Sequence, residues 1–188
     1  MDNSQKFDTN KLHKLNNPER LKWISTDLIW ETLALINPKT LIDVGAGTGI
    51  FAKEFAMKIT DGKIYACDSS KIMVDWMQEN LTEKNIIPFL TKENAIDLDN
   101  EIADLIYMIT VHHELFEPEK LLTEASRLLK TGGKIAIIDW KKQEMQDGPS
   151  IEKRISEETI IKQLQQVGFN NISQYNLLPL HFFIVGTK

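Results

Sequence analysis

The stretch Leu41-Ile42-Asp43-Val44-Gly45-Ala46-Gly47-Thr48-Gly49 carries the clearest chemical signal in this chain. An apolar run ends in three glycines at alternate positions and passes into residues 50–57, which read as helix. A strand, a glycine turn and a helix start together make a site for a charged ligand. Glycine lets the backbone approach closely, and the helix start offers N–H groups without intrahelical partners. The dinucleotide fingerprint G-x-G-x-x-G needs its third glycine where Ile50 stands, and the phosphate loop G-x-x-x-x-G-K-S/T breaks at the same residue. Asp43, just before the glycines, would repel a diphosphate and suits a cation such as the ammonium of an amino acid. Asp68 ends the next apolar run, where a carboxylate can accept hydrogen bonds from ribose hydroxyls. A ligand with a ribose, an ammonium and no phosphate meets these demands. An adenosine joined to an amino acid is such a ligand, and S-adenosylmethionine (SAM) is one.

The elements that must position these residues alternate between strand and helix, which predicts a mostly parallel sheet covered on both faces. Strands are expected at Thr40 to Val44, Lys63 to Cys67, Ile86 to Leu90, Ala103 to Ile109 and Lys134 to Asp139. Pro88 marks the third as an edge strand or one that ends early. Between them, helices cover Ile50 to Met57, the segment after Ser69 or Ser70 with Met73, Met77 and Leu81, and the segment from Pro118 with Leu121, Leu122, Ala125, Leu128 and Leu129. Gly132-Gly133 is expected to stop that last helix. Residues 140–155 read as a long polar loop, followed by a helix capped by Ser156 and closed by Gly168. Asn171 to Leu177 and His181 to Val185 then form a hairpin, so at least one strand is antiparallel. Ahead of all this, Met1 to about Pro38 reads as helical, with Asn17-Pro18 as a start and an apolar stripe at Leu21, Ile24, Leu28, Ile29, Leu33 and Ile36. Ser25-Thr26-Asp27 leaves open whether this is one helix or two.

These motifs, in this order, resemble class I SAM-dependent methyltransferases, in particular the small-molecule branch typified by ubiquinone and menaquinone biosynthesis. Ile42 to Gly49 is similar to the family's first motif, and Asp68 matches its acid at the end of strand two. Asn94-Ala95 resembles the adenine-binding segment after strand three, with Asn where many relatives carry Asp. Asp104 to His113 resembles the strand-four segment ending in a His pair, and Glu124 to Gly133 the helix and turn before strand five. The resemblance covers residues 40–140. It implies an α/β, Rossmann-like seven-stranded sheet in the order 3-2-1-4-5-7-6, with strand seven antiparallel and helices on both faces. It also implies one methyltransferase domain over residues 1–188, with residues 1–38 a helical segment over the cofactor and acceptor site. SAM is then expected on Asp43, Gly45, Ala46, Gly47, Gly49, Asp68, Ser69, Asn94, Ala95 and Met108.

Methyl transfer is an in-line displacement at an activated carbon, so the protein mainly aligns the nucleophile and excludes water. A base is needed only where the acceptor must lose a proton. His112 and His113, after strand four, are the candidates for it; packing in the core is the other role open to them. Adjacent histidines rarely converge on one ion and H-E-x-x-H is absent, so no metal is expected. Trp23, Trp30, Phe116, Trp140 and His181 are the expected wall of an acceptor pocket, while Trp76, on a periodic helix, reads as core. Cys67 reads as a packed thiol rather than a nucleophile.

Composition limits the partners. The chain has 188 residues, a net charge of −5 and no clear basic run, which disfavours nucleic acid; the region after strand four also lacks the Asn-Pro-Pro-Tyr type of motif found in enzymes that methylate base amines. No run approaches the roughly 18 apolar residues of a membrane span, and Met1 to Asn10 has no secretory apolar core. One cysteine excludes an internal disulfide and suits the cytoplasm. The expectation is a cytoplasmic enzyme that methylates a small molecule. The alternative is a SAM- or nucleoside-binding protein without turnover.

Overall fold

The computed structural model describes Leu12 and residues 14–188. The polar start at Met1 to Asn10, and the beginning of the helical segment, lie outside the described residues. Seven strands form one sheet: β1 (Thr40–Val44), β2 (Lys63–Asp68), β3 (Ile86–Leu90), β4 (Ala103–Ile109), β5 (Leu129–Trp140), β6 (Asn170–Tyr175) and β7 (His181–Thr187). Their order is β3-β2-β1-β4-β5-β7-β6. The pairs from β3 to β5 are parallel, while β7 runs antiparallel to both β5 and β6. Chain order reverses between β1 and β4, the place where sheets of this kind open a crevice at their carboxyl edge.

Helices cover both faces. One carries α1 (Glu19–Trp23), α2 (Thr26–Leu33), α3 (Ile50–Ala56) and α4 (Lys71–Asn80); the other carries α5 (Pro118–Leu128) and α6 (Glu157–Val167). Alternation along each strand divides the core accordingly. Leu41, Ile64, Leu105 and Tyr107 pack with Leu33, Phe55 and Met77 on the first face. Ile42, Cys67, Ile106 and Met108 pack with Leu122, Leu128, Ile160 and Leu164 on the second. All five residues of β1 are buried, as a strand covered on both sides demands. β3 is an edge strand, in keeping with Pro88. Among the described residues no helix is long and apolar enough to cross a membrane.

Two elements depart from the sequence reading. The amino-terminal stripe, open between one helix and two, is two helices, because Ser25 Oγ accepts the Leu28 N–H and restarts the chain. That break resets the buried face: Ile24, Ile29 and Leu33 are buried, but Leu28 is exposed and Ile36 almost fully so. The second helix ends at Leu33, where Ala34 turns left-handed, rather than at Asn37. The other departure is that Gly132-Gly133 lies inside β5 instead of preceding it. Ala103 pairs with Leu129 and Leu105 with Lys134, so residues 130–133 bulge opposite Asp104. Asp104 secures that end of the sheet by accepting the Lys39 and Thr40 N–H groups at 2.8 and 2.9 Å and pairing with Lys130 at 2.6 Å.

The loop after β5 is organised by one buried cation. Arg154 donates to the carbonyls of Pro149, Lys141, Gln143 and Asp147. Gly148 lies flat against Trp140, where a Cβ would stand 2.7 Å from the indole. Replacing Arg154 with Met strands these carbonyls, so urea denaturation is expected to show a loss of roughly 1–3 kcal/mol, with the first loss of amide protection in residues 141–149.

Candidate functional site

The ends of β1, β2 and β4 frame a cleft of about 1000 Å³. The glycine loop at its floor is held from β2. The Gly45 and Ala46 N–H groups both donate to the Cys67 carbonyl, at 2.8 and 2.9 Å. The Gly47 N–H donates to Asp68 Oδ2 at 2.8 Å, while Asp68 Oδ1 accepts the Ser70 N–H. The two inner glycines serve different ends. A Cβ on Gly45 would strike Val111 at 2.5 Å, so the loop needs glycine there to pack against the segment after β4. A Cβ on Gly47 would meet only Leu15, at 3.5 Å. The space above Gly47 therefore opens into the cleft, and its φ of +57° independently favours glycine.

Asp43, an acid, and Arg20, a base, both line this cleft. Asp43 is buried on the β1 side, and its Oδ2 has no hydrogen-bond partner among the described residues. Burial raises its pKa to about 8; the Tyr107 hydroxyl opposes the rise, Asp68 adds to it and Arg20 opposes it. Arg20, from α1, donates to the Leu15 carbonyl and to Thr110 Oγ1, both at 2.9 Å, and lies 4.9 Å over the Phe51 ring. Burial brings its pKa down to about 10, with Asp43 opposing. Thr110 holds a left-handed φ of +57° at the end of β4. Burial also lifts the Asp68 pKa, against the Ser70 and Gly47 N–H groups, with Glu114 adding to the rise.

Of the residues singled out from sequence, Asp43, Gly45, Ala46, Gly47, Asp68, Ser69 and Asn94 line this one cleft. Asn94 Nδ2 donates to Glu117 at 3.1 Å. Gly49, Ala95 and Met108 stand outside the lining. Gly49 caps α3 beside Leu81, Ala95 closes a short bridge to Lys92, and Met108 is buried on the α5–α6 face of the sheet.

Neither histidine after β4 lines the cleft. His112 is fully buried and bonds Gln163 of α6 through Nε2 at 2.9 Å. His113 Nδ1 lies 2.8 Å from Asp139 Oδ1, and its N–H donates to Asp139 Oδ2. Burial pulls the His113 pKa down, but Asp139 and Glu114 outweigh it and hold the ring above the usual histidine range. His112 is shifted the other way by burial. Of the five aromatic residues expected at an acceptor pocket, Phe116 lines the cleft and is 92% exposed. Trp23 and Trp30 pack on the first core face, and Trp76 joins them there. Trp140 stacks on fully buried His181 at 4.2 Å. Cys67 is buried, and burial pushes its thiol pKa well up, so it is no nucleophile. Arg20, Thr110, Glu114 and Asp139 escape a reading by motif. Arg20 meets its partner Thr110 across 90 residues, a separation no local spacing reveals.

Comparisons with known proteins bear on the family and the fold. The family described as "Methyltransferase domain" matches residues 42–137, just over half of the chain. A SAM-dependent methyltransferase from Aquifex aeolicus, solved by crystallography, is 32% identical, covers 96% of this chain and 98% of that one, and superposes with a TM-score of 0.89. An uncharacterized protein of Methanocaldococcus jannaschii is 29% identical over 70% of this chain and 64% of its own length. The demethylmenaquinone methyltransferase of Chlamydia pneumoniae is 29% identical over 53% of this chain and 44% of its own. The matches thus span less than two thirds of either curated relative. A family match over half of the chain and the near full-length likeness to the Aquifex protein place this chain in the family of SAM-dependent methyltransferases.

Proposed function

We propose that this chain transfers a methyl group from SAM to a small molecule in the cytoplasm, and that the carrying observation is the space above Gly47 flanked by Asp68 and Asp43. The unpartnered Asp43 oxygen and the open glycine are what such a ligand requires. Asp68 would hold the ribose hydroxyls through the lone pairs its two N–H donors leave free, and the Asn94 carbonyl would take the adenine amine. When bound, SAM supplies a methyl group already activated on a sulfonium. The protein's part is alignment and exclusion of water. The helical segment before β1 roofs the site through Leu15 and Arg20. Phe116 and Ile72 offer apolar surface at the mouth, suited to a flat acceptor such as the one in the name of the Chlamydia relative. The net charge of −5 speaks against a nucleic acid, and the lone buried Cys67 fits a reducing compartment.

His112 and His113 position rather than react in this reading. They tie the turn after β4 to α6 and β5, and so set where Val111, Glu114 and Leu115 stand in the cleft. Their orientation also favours the second reading, binding without turnover, because it turns both imidazoles away from the cleft lining. Formation of S-adenosylhomocysteine from SAM across a panel of phenols, quinols, amines and carboxylic acids decides between them. Product formed only with an acceptor present supports transfer; binding with no product from any acceptor supports the second reading.

Three outcomes are expected of the cofactor site. Asp68→Ala weakens SAM binding by roughly 10–100-fold in calorimetry, with an unchanged circular dichroism spectrum. Gly47→Val, folded by the same criterion, abolishes measurable SAM binding. SAM affinity peaks near pH 8: below it a proton must leave Asp43, whose pKa is about 8, and above it the ligand's own amine, with an ordinary pKa of about 8, loses the charge that Asp43 attracts. Asp43→Asn flattens the acid limb, and a pH-independent affinity in the parent protein would remove Asp43 from the ammonium site.

A further inference from the structure

We infer that Glu117, at the start of α5, is a specificity-determining residue that acts through Asn94: it fixes the Asn94 amide so that the cleft selects a 6-amino purine over a 6-oxo purine. The inference rests on the SAM reading above and turns on a departure of this chain, the Asn that stands where the family resemblance leads to Asp. A carboxylate offers only acceptors, whichever way it turns. An amide has an acceptor at one end and donors at the other, so its orientation decides which base it takes.

Asn94 lines the cleft and sits in a tight turn, closed by the Lys92 N–H donating to the Ala95 carbonyl at 3.1 Å. The segment that follows is held by α5. Glu124 accepts the Ile96 N–H at 2.8 Å, and Arg127 donates to the Ile96 and Leu98 carbonyls, both at 2.9 Å. The backbone around Asn94 is therefore fixed, and the choice left is which end of its amide faces α5. Glu117 makes that choice. Its Oε1 pairs with Lys120 at 2.6 Å, and its Oε2 lies 3.1 Å from Asn94 Nδ2. A carboxylate only accepts, so it rejects the Asn94 oxygen and keeps the amide nitrogen on its own side. Asn94 Oδ1, at the other end of the amide, receives no hydrogen bond among the described residues. That acceptor suits the exocyclic amine of adenine and repels the oxygen that a 6-oxo purine carries at the same place. An Asp here would set two carboxylates against each other; Asn with Glu117 keeps the acceptor without that repulsion. The competing role for Glu117 is to stabilise the start of α5 as an acid near its N-terminus, and that role affects both purines alike.

The test is calorimetric titration of the full chain, of Glu117→Gln, and of Glu117→Gln combined with Asn94→Asp. The ligands are S-adenosylhomocysteine and S-inosylhomocysteine, in which an oxygen replaces the 6-amino group. The unmodified chain is expected to prefer S-adenosylhomocysteine by roughly tenfold or more. In Glu117→Gln the new amide can donate to Asn94 as well as accept from it, so Asn94 is free to turn and the preference falls by about fivefold or more, chiefly through tighter S-inosylhomocysteine. Adding Asn94→Asp restores the preference, because a carboxylate has no donor to turn toward the base. Equal affinity of the unmodified chain for the two ligands would overturn the inference without any variant. So would a preference that Glu117→Gln leaves within about twofold, which assigns Glu117 to the helix start, or one that the second substitution fails to restore. If the unmodified, folded chain binds neither ligand, it is the SAM reading itself that fails.

Discussion

Two acceptors on β2 hold the carboxyl edge of the sheet together. The Cys67 carbonyl and the Asp68 carboxylate between them receive three successive N–H groups, those of Gly45, Ala46 and Gly47. The loop is therefore drawn over the end of β2 rather than left to run straight on from β1. Its shape follows from the parallel register that sets Val44 beside Cys67. From there the constraint spreads. Gly45 lies so close to Val111 that the segment after β4 is located by the loop, and that segment in turn carries Thr110 and Glu114. A change at the end of β2 would be felt across three strands.

The turn after β4 is fixed from its far side as well. His112 reaches α6 and His113 reaches Asp139 at the end of β5, which also receives the Trp140 N–H. Beyond Trp140, Arg154 gathers four carbonyls of the following loop. The β4 side of the cleft is thus buttressed by side chains pointing away from it. Buried polar groups placed this way define one arrangement of the backbone, because every alternative leaves a donor or acceptor unpaired.

Where hydrophobic period and local punctuation decide the structure, the sequence is easy to read. Runs such as Thr40 to Val44, Ile86 to Leu90 and Ala103 to Ile109 are bounded by turn residues and form strands with those limits. Ser156 and Gly168 cap α6 through local bonds. Gly132-Gly133 misleads because a glycine pair serves equally as a helix stop and as a bulge, and only pairing with β4 selects between them. In the site, the glycines and the two acids lie next to strand ends and are legible for that reason. Arg20 and Asp139 are not, since their roles arise from partners 90 and 26 residues away. The orientation of the His pair is likewise a property of α6 and β5, not of the His-His dipeptide.

The buried carboxyl of Asp43 makes the fold a compromise. Its folded pKa of about 8 stands above the ordinary 3.8, so between these values the folded chain keeps a proton that the unfolded chain gives up. The contribution of this group to stability is fully present below about pH 4 and is lost as the pH climbs toward 8. The fold is thus least favoured where Asp43 carries its charge, and on the function proposed above an occupant with an ammonium would offset that cost from inside. Heat resistance and function are then set in opposition at this one residue. Variants selected for a higher melting temperature would drift toward an amide or an apolar side chain at position 43, and a library ranked by stability alone would discard the chains that still bind.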